Sequence, residues 1–121
     1  MISVRVDPAG QRIDLKVDQP VEEADLQRIL AEVKAGVRQM RPGWLMTNDL
    51  RGQVALNPRL DTYVTQIQTV VLAGSPRKIA TLVDSQLLKL QLSVGSVAAR
   101  SGDITRRFDN EQEWLAFIAQ L

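Results

Sequence analysis

Arg77-Lys78-Ile79-Ala80-Thr81-Leu82-Val83 is a short run, β-branched in part, bounded by Ser75-Pro76 before it and Asp84 after it. Its length and composition suit a central strand better than a helix. What lies on either side decides the fold class, because both flanks carry helical periodicity. Upstream, Asn57-Pro58 supplies a capping residue followed by proline at the first helical position. Leu60, Tyr63, Val64, Ile67 and Val71 then form one apolar face that ends by Gly74. Downstream, a helix is expected to begin near Ser85 and to carry Leu87, Leu88, Leu90, Leu92, Val94 and Val97 around Gly95.

The same alternation extends outward in both directions. Ile2, Val4 and Val6 alternate with Ser3 and Arg5, the turn-rich Asp7-Pro8-Ala9-Gly10 follows, and Ile13, Leu15 and Val17 alternate with Asp14 and Lys16. Two strands in an antiparallel hairpin with one wet face are expected there. From Val21 to about Met40, Leu26, Ile29, Leu30, Val33, Val37 and Met40 recur at three- and four-residue spacing. Glu22, Glu23 and Asp25 crowd the first turns, and Pro42-Gly43 stops the helix. Trp44 to Leu50 then suits a buried strand. After Ser101-Gly102-Asp103, Ile104 to Phe108 form a last strand and Asp109 caps a helix whose face is Trp114, Leu115, Ile118 and Leu121. The expected order over residues 1–121 is β-β-α-β-α-β-α-β-α in one domain. That order makes an α/β fold with a mixed sheet, an N-terminal antiparallel hairpin and parallel strands joined by right-handed helical crossovers.

Composition narrows the chemistry. The chain has no Cys and no His, which excludes disulfides, Cys/His zinc sites, thiolate nucleophiles and Ser-His-Asp catalysis. No GxGxxG or GxxxxGK[ST] pattern occurs, so the common nucleotide loops are missing, and no cofactor is expected. Fifteen basic residues against fourteen acidic ones give a net charge of +1, which favours neither nucleic acid nor a membrane surface. No run approaches the roughly 18 apolar residues of a spanning helix, and Met1 leads straight into a strand pattern. A cytoplasmic setting is the expectation.

In open α/β sheets ligands gather outside the carboxyl ends of parallel strands, which here directs attention to Asp49, Arg51, Gly52, Asp84 and Ser85. Asp49 and Asp84 could hold a magnesium ion through oxygen ligands while Arg51 engages a substrate phosphate, the basis of an alternative reading as a phosphoryl-group enzyme. Helix capping and turn chemistry select the same two aspartates without any ligand. Between Arg77 and Arg107 six basic residues face only Asp84 and Asp103, yet just five aromatics exist in the whole chain, too few for an RNA-stacking surface. Solvated strand ends are the plainer account. The leucine run from Leu87 to Val97 exceeds one helical stripe: an exposed part would form a homodimer contact, a lipid-facing lip or a partner groove, and a helix buried on two sides accounts for the run about as well.

Three segments resemble the SpoIIAA-like members of the STAS domain superfamily, small bacterial α/β proteins also described as related to the CRAL-TRIO lipid-transfer fold. They are Asp49-Leu50-Arg51-Gly52, the strand Arg77 to Val83, and Arg106-Arg107-Phe108-Asp109-Asn110-Glu111-Gln112-Glu113-Trp114-Leu115. The resemblance covers nearly the whole chain. It implies a SpoIIAA-like mixed sheet and a non-enzymatic module for protein interaction or small-ligand binding. The partner would be another protein or a small apolar or anionic ligand, with no nucleic acid and no membrane span. The best-known relatives are anti-sigma factor antagonists switched by phosphorylation of a Ser or Thr at the start of the second helix. Between Asp49 and Asp61 this chain has neither residue, and Thr47 and Thr62 lie outside that loop.

Overall fold

The structure, a computed structural model, describes residues 2–51, 57–84 and 104–121. The two N-terminal alternations form β1 (Ile2–Asp7) and β2 (Arg12–Val17), paired antiparallel with Val4 opposite Leu15 and Val6 opposite Ile13. Asp7 Oδ1 closes the turn between them by accepting the Gly10 N–H at 3.0 Å. Gln11 follows at φ 53°, a left-handed conformation that costs a residue with a Cβ. Its side chain offsets the cost. The amide donates to Pro8 O at 2.7 Å, and its oxygen accepts the Arg41 N–H at 2.6 Å, which ties the hairpin to the end of the next helix.

That helix, α1 (Glu23–Val37), starts where the Glu22 N–H donates to the Asp25 carboxylate at 2.9 Å. It ends three residues short of the expected Met40, because the Gln39 and Met40 N–H groups turn back to Gly36 O and Val37 O in a tighter final turn. Its inner face is Leu26, Ile29, Val33 and Gly36. A Cβ on Gly36 would meet Val6 Cγ2 at 2.8 Å and Ile13 Cδ1 at 3.0 Å, so glycine lets the helix sit directly on the hairpin.

β3 (Leu45–Asp49), β4 (Lys78–Leu82) and β5 (Thr105–Phe108) continue the sheet in parallel, and the strands lie in the order β1-β2-β3-β4-β5. Between β3 and β4 the chain passes through a 3₁₀ turn, Pro58–Leu60, into α2 (Asp61–Ala73). Asn57 Oδ1 caps the turn by accepting the Arg59 N–H at 3.0 Å, as the Asn-Pro pair led us to expect. The last helix is α3 (Glu111–Ala119). Its cap is Asn110, whose Oδ1 accepts the Glu113 N–H at 3.0 Å, and not the expected Asp109. β5 ends at Phe108, where it was expected to, but the first helical residue is Glu111, so Asn110 and not Asp109 stands immediately before the first turn. The fold is therefore α/β with a five-stranded mixed sheet and three helices among the described residues. The helix expected from Ser85 lies outside them.

Strand alternation gives the sheet two unlike faces. Ile13, Met46 and Ile79 share one row and one face. They meet Ile29 and Val33 of α1 and Val71 of α2 in the main core, which also holds Leu15, Val17 and Trp44. α1 and α2 pack against each other on this face. The other face carries Asp14, Thr47 and Ala80 in one row and Lys16, Asp49 and Leu82 in the next. There α3 covers the β4–β5 end, with Ala80, Leu82, Phe108 and Trp114 in a small second core. Each tryptophan places its indole N–H on a backbone carbonyl, Trp44 on Gly74 O at 2.9 Å and Trp114 on Ala80 O at 3.1 Å, so neither buries an unsatisfied donor. Among the described residues no helix is long and apolar enough to cross a membrane.

Candidate functional site at the carboxyl end of the sheet

β2, β3, β4 and β5 all point the same way, so their carboxyl ends form one rim. Asp49 is the last residue of β3 and only 9% exposed, on the face that α3 covers in part. Two residues on, Arg51 folds back over it. Its Nε donates to Asp49 Oδ1 at 3.0 Å and its Nη2 to Oδ2 at 2.8 Å, the two-pronged fit of a guanidinium to a carboxylate. The Arg51 N–H adds a longer bond to Oδ1 at 3.3 Å. The remaining arm, Nη1, reaches Glu111 Oε2 at 3.1 Å, so one arginine joins the end of β3 to the first residue of α3.

The electrostatics follow from that geometry. Hydrogen bonds from the Arg51 side chain hold the Asp49 carboxyl below the usual aspartate value; partial burial opposes this, and the Arg51 N–H and the charges of Arg51 and Lys16 reinforce it. Asp49 in turn raises the pKa of Arg51, with Glu111 adding to the effect. Asp49 is thus a fixed anion with both oxygens already engaged, and a cation arriving there would compete with a guanidinium.

Of the residues expected to mark a site, Asp49 and Arg51 are brought together. Asp84 lies exposed beyond the end of β4. Gly52 and Ser85 fall outside the described residues, as does the leucine face from Leu87 to Val97. No group of three side chains able to hold a metal ion occurs among the described residues. Thr47 is 2% exposed and donates its hydroxyl to Asp14 Oδ1, which also accepts from Arg12 Nε at 2.7 Å, so Thr47 is committed within the sheet. Thr62 is exposed in the first turn of α2.

The described basic residues between Arg77 and Arg107 do not share one surface, and Lys89 and Arg100 lie outside the described residues. Arg77 Nη2 donates to Leu121 O at 3.0 Å. Arg106 lies over the rings of Phe108 and Phe117, at 5.3 and 5.0 Å from their centroids. Arg107, the next residue along the strand, is directed to the opposite face.

Glu111 escaped the sequence reading as a site residue, since it reads as one more acid in a first helical turn. The Asp14–Thr47 pair was missed too, although both positions fall on the polar side of their strands' alternation. No family model matches the chain, and neither the curated proteins nor the solved structures contain a significant match to it.

Proposed function

We propose that this chain is a non-catalytic, STAS-like interaction domain that presents the rim around Arg51 and the start of α3 to a protein partner. The observation that carries the reading is the closed relay Asp49–Arg51–Glu111. At the position where an α/β enzyme exposes a reactive carboxylate, this chain neutralises Asp49 within its own fold. The charge is spent on holding α3 against the end of β3. What faces solvent is the outer side of the relay, with the Arg51 and Glu111 side chains 40% and 52% exposed. A fixed rim of alternating charge suits recognition, because preset charges steer and orient a partner without first being ordered. The resemblance to SpoIIAA-like proteins supports the same reading and a cytoplasmic, bacterial setting. With no Ser or Thr between Asp49 and Asp61, any regulation of this rim takes a form other than phosphorylation of that loop.

The test pairs capture with turnover. Tagged wild-type chain should retain a defined partner from its source cells, and Glu111→Ala, which leaves Asp49 with its arginine, should retain less of it. Magnesium-dependent hydrolysis of a phosphoester that is lost in Asp49→Asn would overturn the reading in favour of the phosphoryl-group enzyme.

A further inference from the structure

β1 is an edge strand, and among the described residues no strand lies on its outer side. The direction of its backbone groups follows from its neighbours. The Leu45 N–H donates to Gln11 O while Leu45 stands opposite Arg12, so in β2 the N–H and C=O groups of Ile13 and Leu15 turn towards β3 and those of Arg12, Asp14 and Lys16 towards β1. The β1 residues opposite those three, Asp7, Arg5 and Ser3, spend their groups inside the sheet. Ile2, Val4 and Val6 therefore aim theirs outward. The Ile2 carbonyl fits this phase, since it accepts from Arg28 Nη2 of α1 at 2.9 Å. Edge strands are commonly blunted by proline, lysine, a bulge or shortness. β1 runs for six residues in unbroken register with no proline or lysine among them, and Pro8 stands just beyond its end. Its β-branched Ile2, Val4 and Val6 are only partly buried against the main core. The opposite edge, β5, is shorter and carries Arg106 and Arg107.

We propose that β1 pairs antiparallel with β1 of a second copy of this chain about a two-fold axis at Val4, joining the two sheets into one. Across the junction Val4 then faces Val4 and Ile2 faces Val6, so outward N–H meets outward C=O at each step and the apolar side chains continue the core face from one copy to the other. On the other face Arg5 stands opposite Ser3 of the second copy. Charge and proline select this register. An axis at Arg5 would set two arginines directly opposite each other, and an axis at Val6 would set Val4 against Pro8, which has no N–H to give. An axis at Ser3 would leave Val6 past the end of the paired strand. The Ile2 carbonyl can keep Arg28, because an oxygen with two lone pairs accepts the Val6 N–H as well. Neither Arg51 nor α3 takes part, so the junction stands or falls independently of the interaction reading.

Sedimentation equilibrium and amide hydrogen exchange on the full chain, from micromolar to millimolar concentration, test the pairing. The wild type should pass reversibly from monomer to dimer. As it does, the Val4 and Val6 amides should become slow to exchange, while the Arg5 amide is slow throughout. Val4→Pro removes one outward N–H and no bond of the β1–β2 ladder, so it should keep the fold and stay monomeric. Ser3→Glu sets a carboxylate opposite Arg5 of the second copy, twice over by symmetry, and should tighten the dimer about tenfold. Where Val4→Pro fails to fold, Ser3→Glu alone decides. A wild type that remains monomeric at millimolar concentration, a dimer that persists in folded Val4→Pro, or a Ser3→Glu dimer no tighter than wild type would overturn the proposal.

Discussion

Beneath α1 and α2 the sheet presents Ile13, Met46 and Ile79 in one row, whereas the next row along the strands, on the opposite face, is Asp14, Thr47 and Ala80. The first face is held by area removed from water, since Ile13, Ile29, Val33 and Trp44 are at most 1% exposed. The second is held largely by directed bonds: Thr47 and Arg12 on Asp14, Arg51 on Asp49, and Trp114 on Ala80 O. Burial is indifferent to which apolar group fills the space, while a bidentate arginine pair fixes angle and register. The two faces thus divide the labour, one setting stability and the other setting the position of the rim.

The largest effects should therefore fall on the first face. Trp44→Ala removes the largest fully buried side chain and should cost about 3–5 kcal/mol in chemical denaturation. Trp44→Phe should cost less, because it keeps most of the volume and forfeits chiefly the bond to Gly74 O. A Trp44→Ala cost near that of a surface change would mean that burial on this face does not set stability. Gly36→Val tests the same face from the opposite direction, by overpacking. Its first carbon already meets Val6 and Ile13 inside contact distance, so a loss of about 1–3 kcal/mol is expected. An unchanged melting curve would mean that α1 can lift from the hairpin at no cost.

How much of this was legible in the sequence depends on the range of the interaction. The alternation of Ile13, Leu15 and Val17, the stripe from Leu26 to Val33 and the Asn57-Pro58 cap are local patterns, and each one formed as read. The last cap shifted from Asp109 to Asn110 because both residues can cap, and two capping residues in succession leave open at which of them the first turn begins. At the rim, the strand ends pointed to Asp49 and Arg51 as candidates. Their union with Glu111 spans sixty residues of sequence, so no spacing rule reaches it. A polar row, Asn48–Thr81–Arg107, lies hidden for the same reason. Each residue reads alone as a tolerable polar position in a strand, and only the register of β3, β4 and β5 lines them up.

On the second face, Thr47→Val keeps shape while removing the hydroxyl that donates to Asp14. A cost of about 1–2 kcal/mol is expected, below that of Trp44→Ala, since Arg12 still serves the carboxylate. Urea unfolding of Thr47→Val beside Asp14→Asn measures how far the two groups act together. If the hydroxyl acts only through that carboxylate, the double variant should fall short of the sum of the two single changes.

The smallest effect, and the one most diagnostic of the rim, belongs to Arg51→Ala. Its side chain is 40% exposed, so solvent screens much of its charge and a loss of about 1 kcal/mol or less is expected at neutral pH. The pH dependence separates charge from packing. In the wild type the Asp49 carboxyl is held below the ordinary aspartate value of 3.8, chiefly by hydrogen bonds from Arg51. A depressed carboxylate contributes stability that is complete above its unfolded pKa and is lost as pH falls through the folded one. Arg51→Ala removes most of that contribution. The gap in stability between wild type and variant should then be widest near neutrality, hold down to about pH 4 and close as acid protonates Asp49 in both proteins. A gap of constant size down to about pH 2 would mean that Arg51 works by covering the end of β3 and not by its charge. Only in the first case does the relay set the electrostatics of the rim as well as its shape.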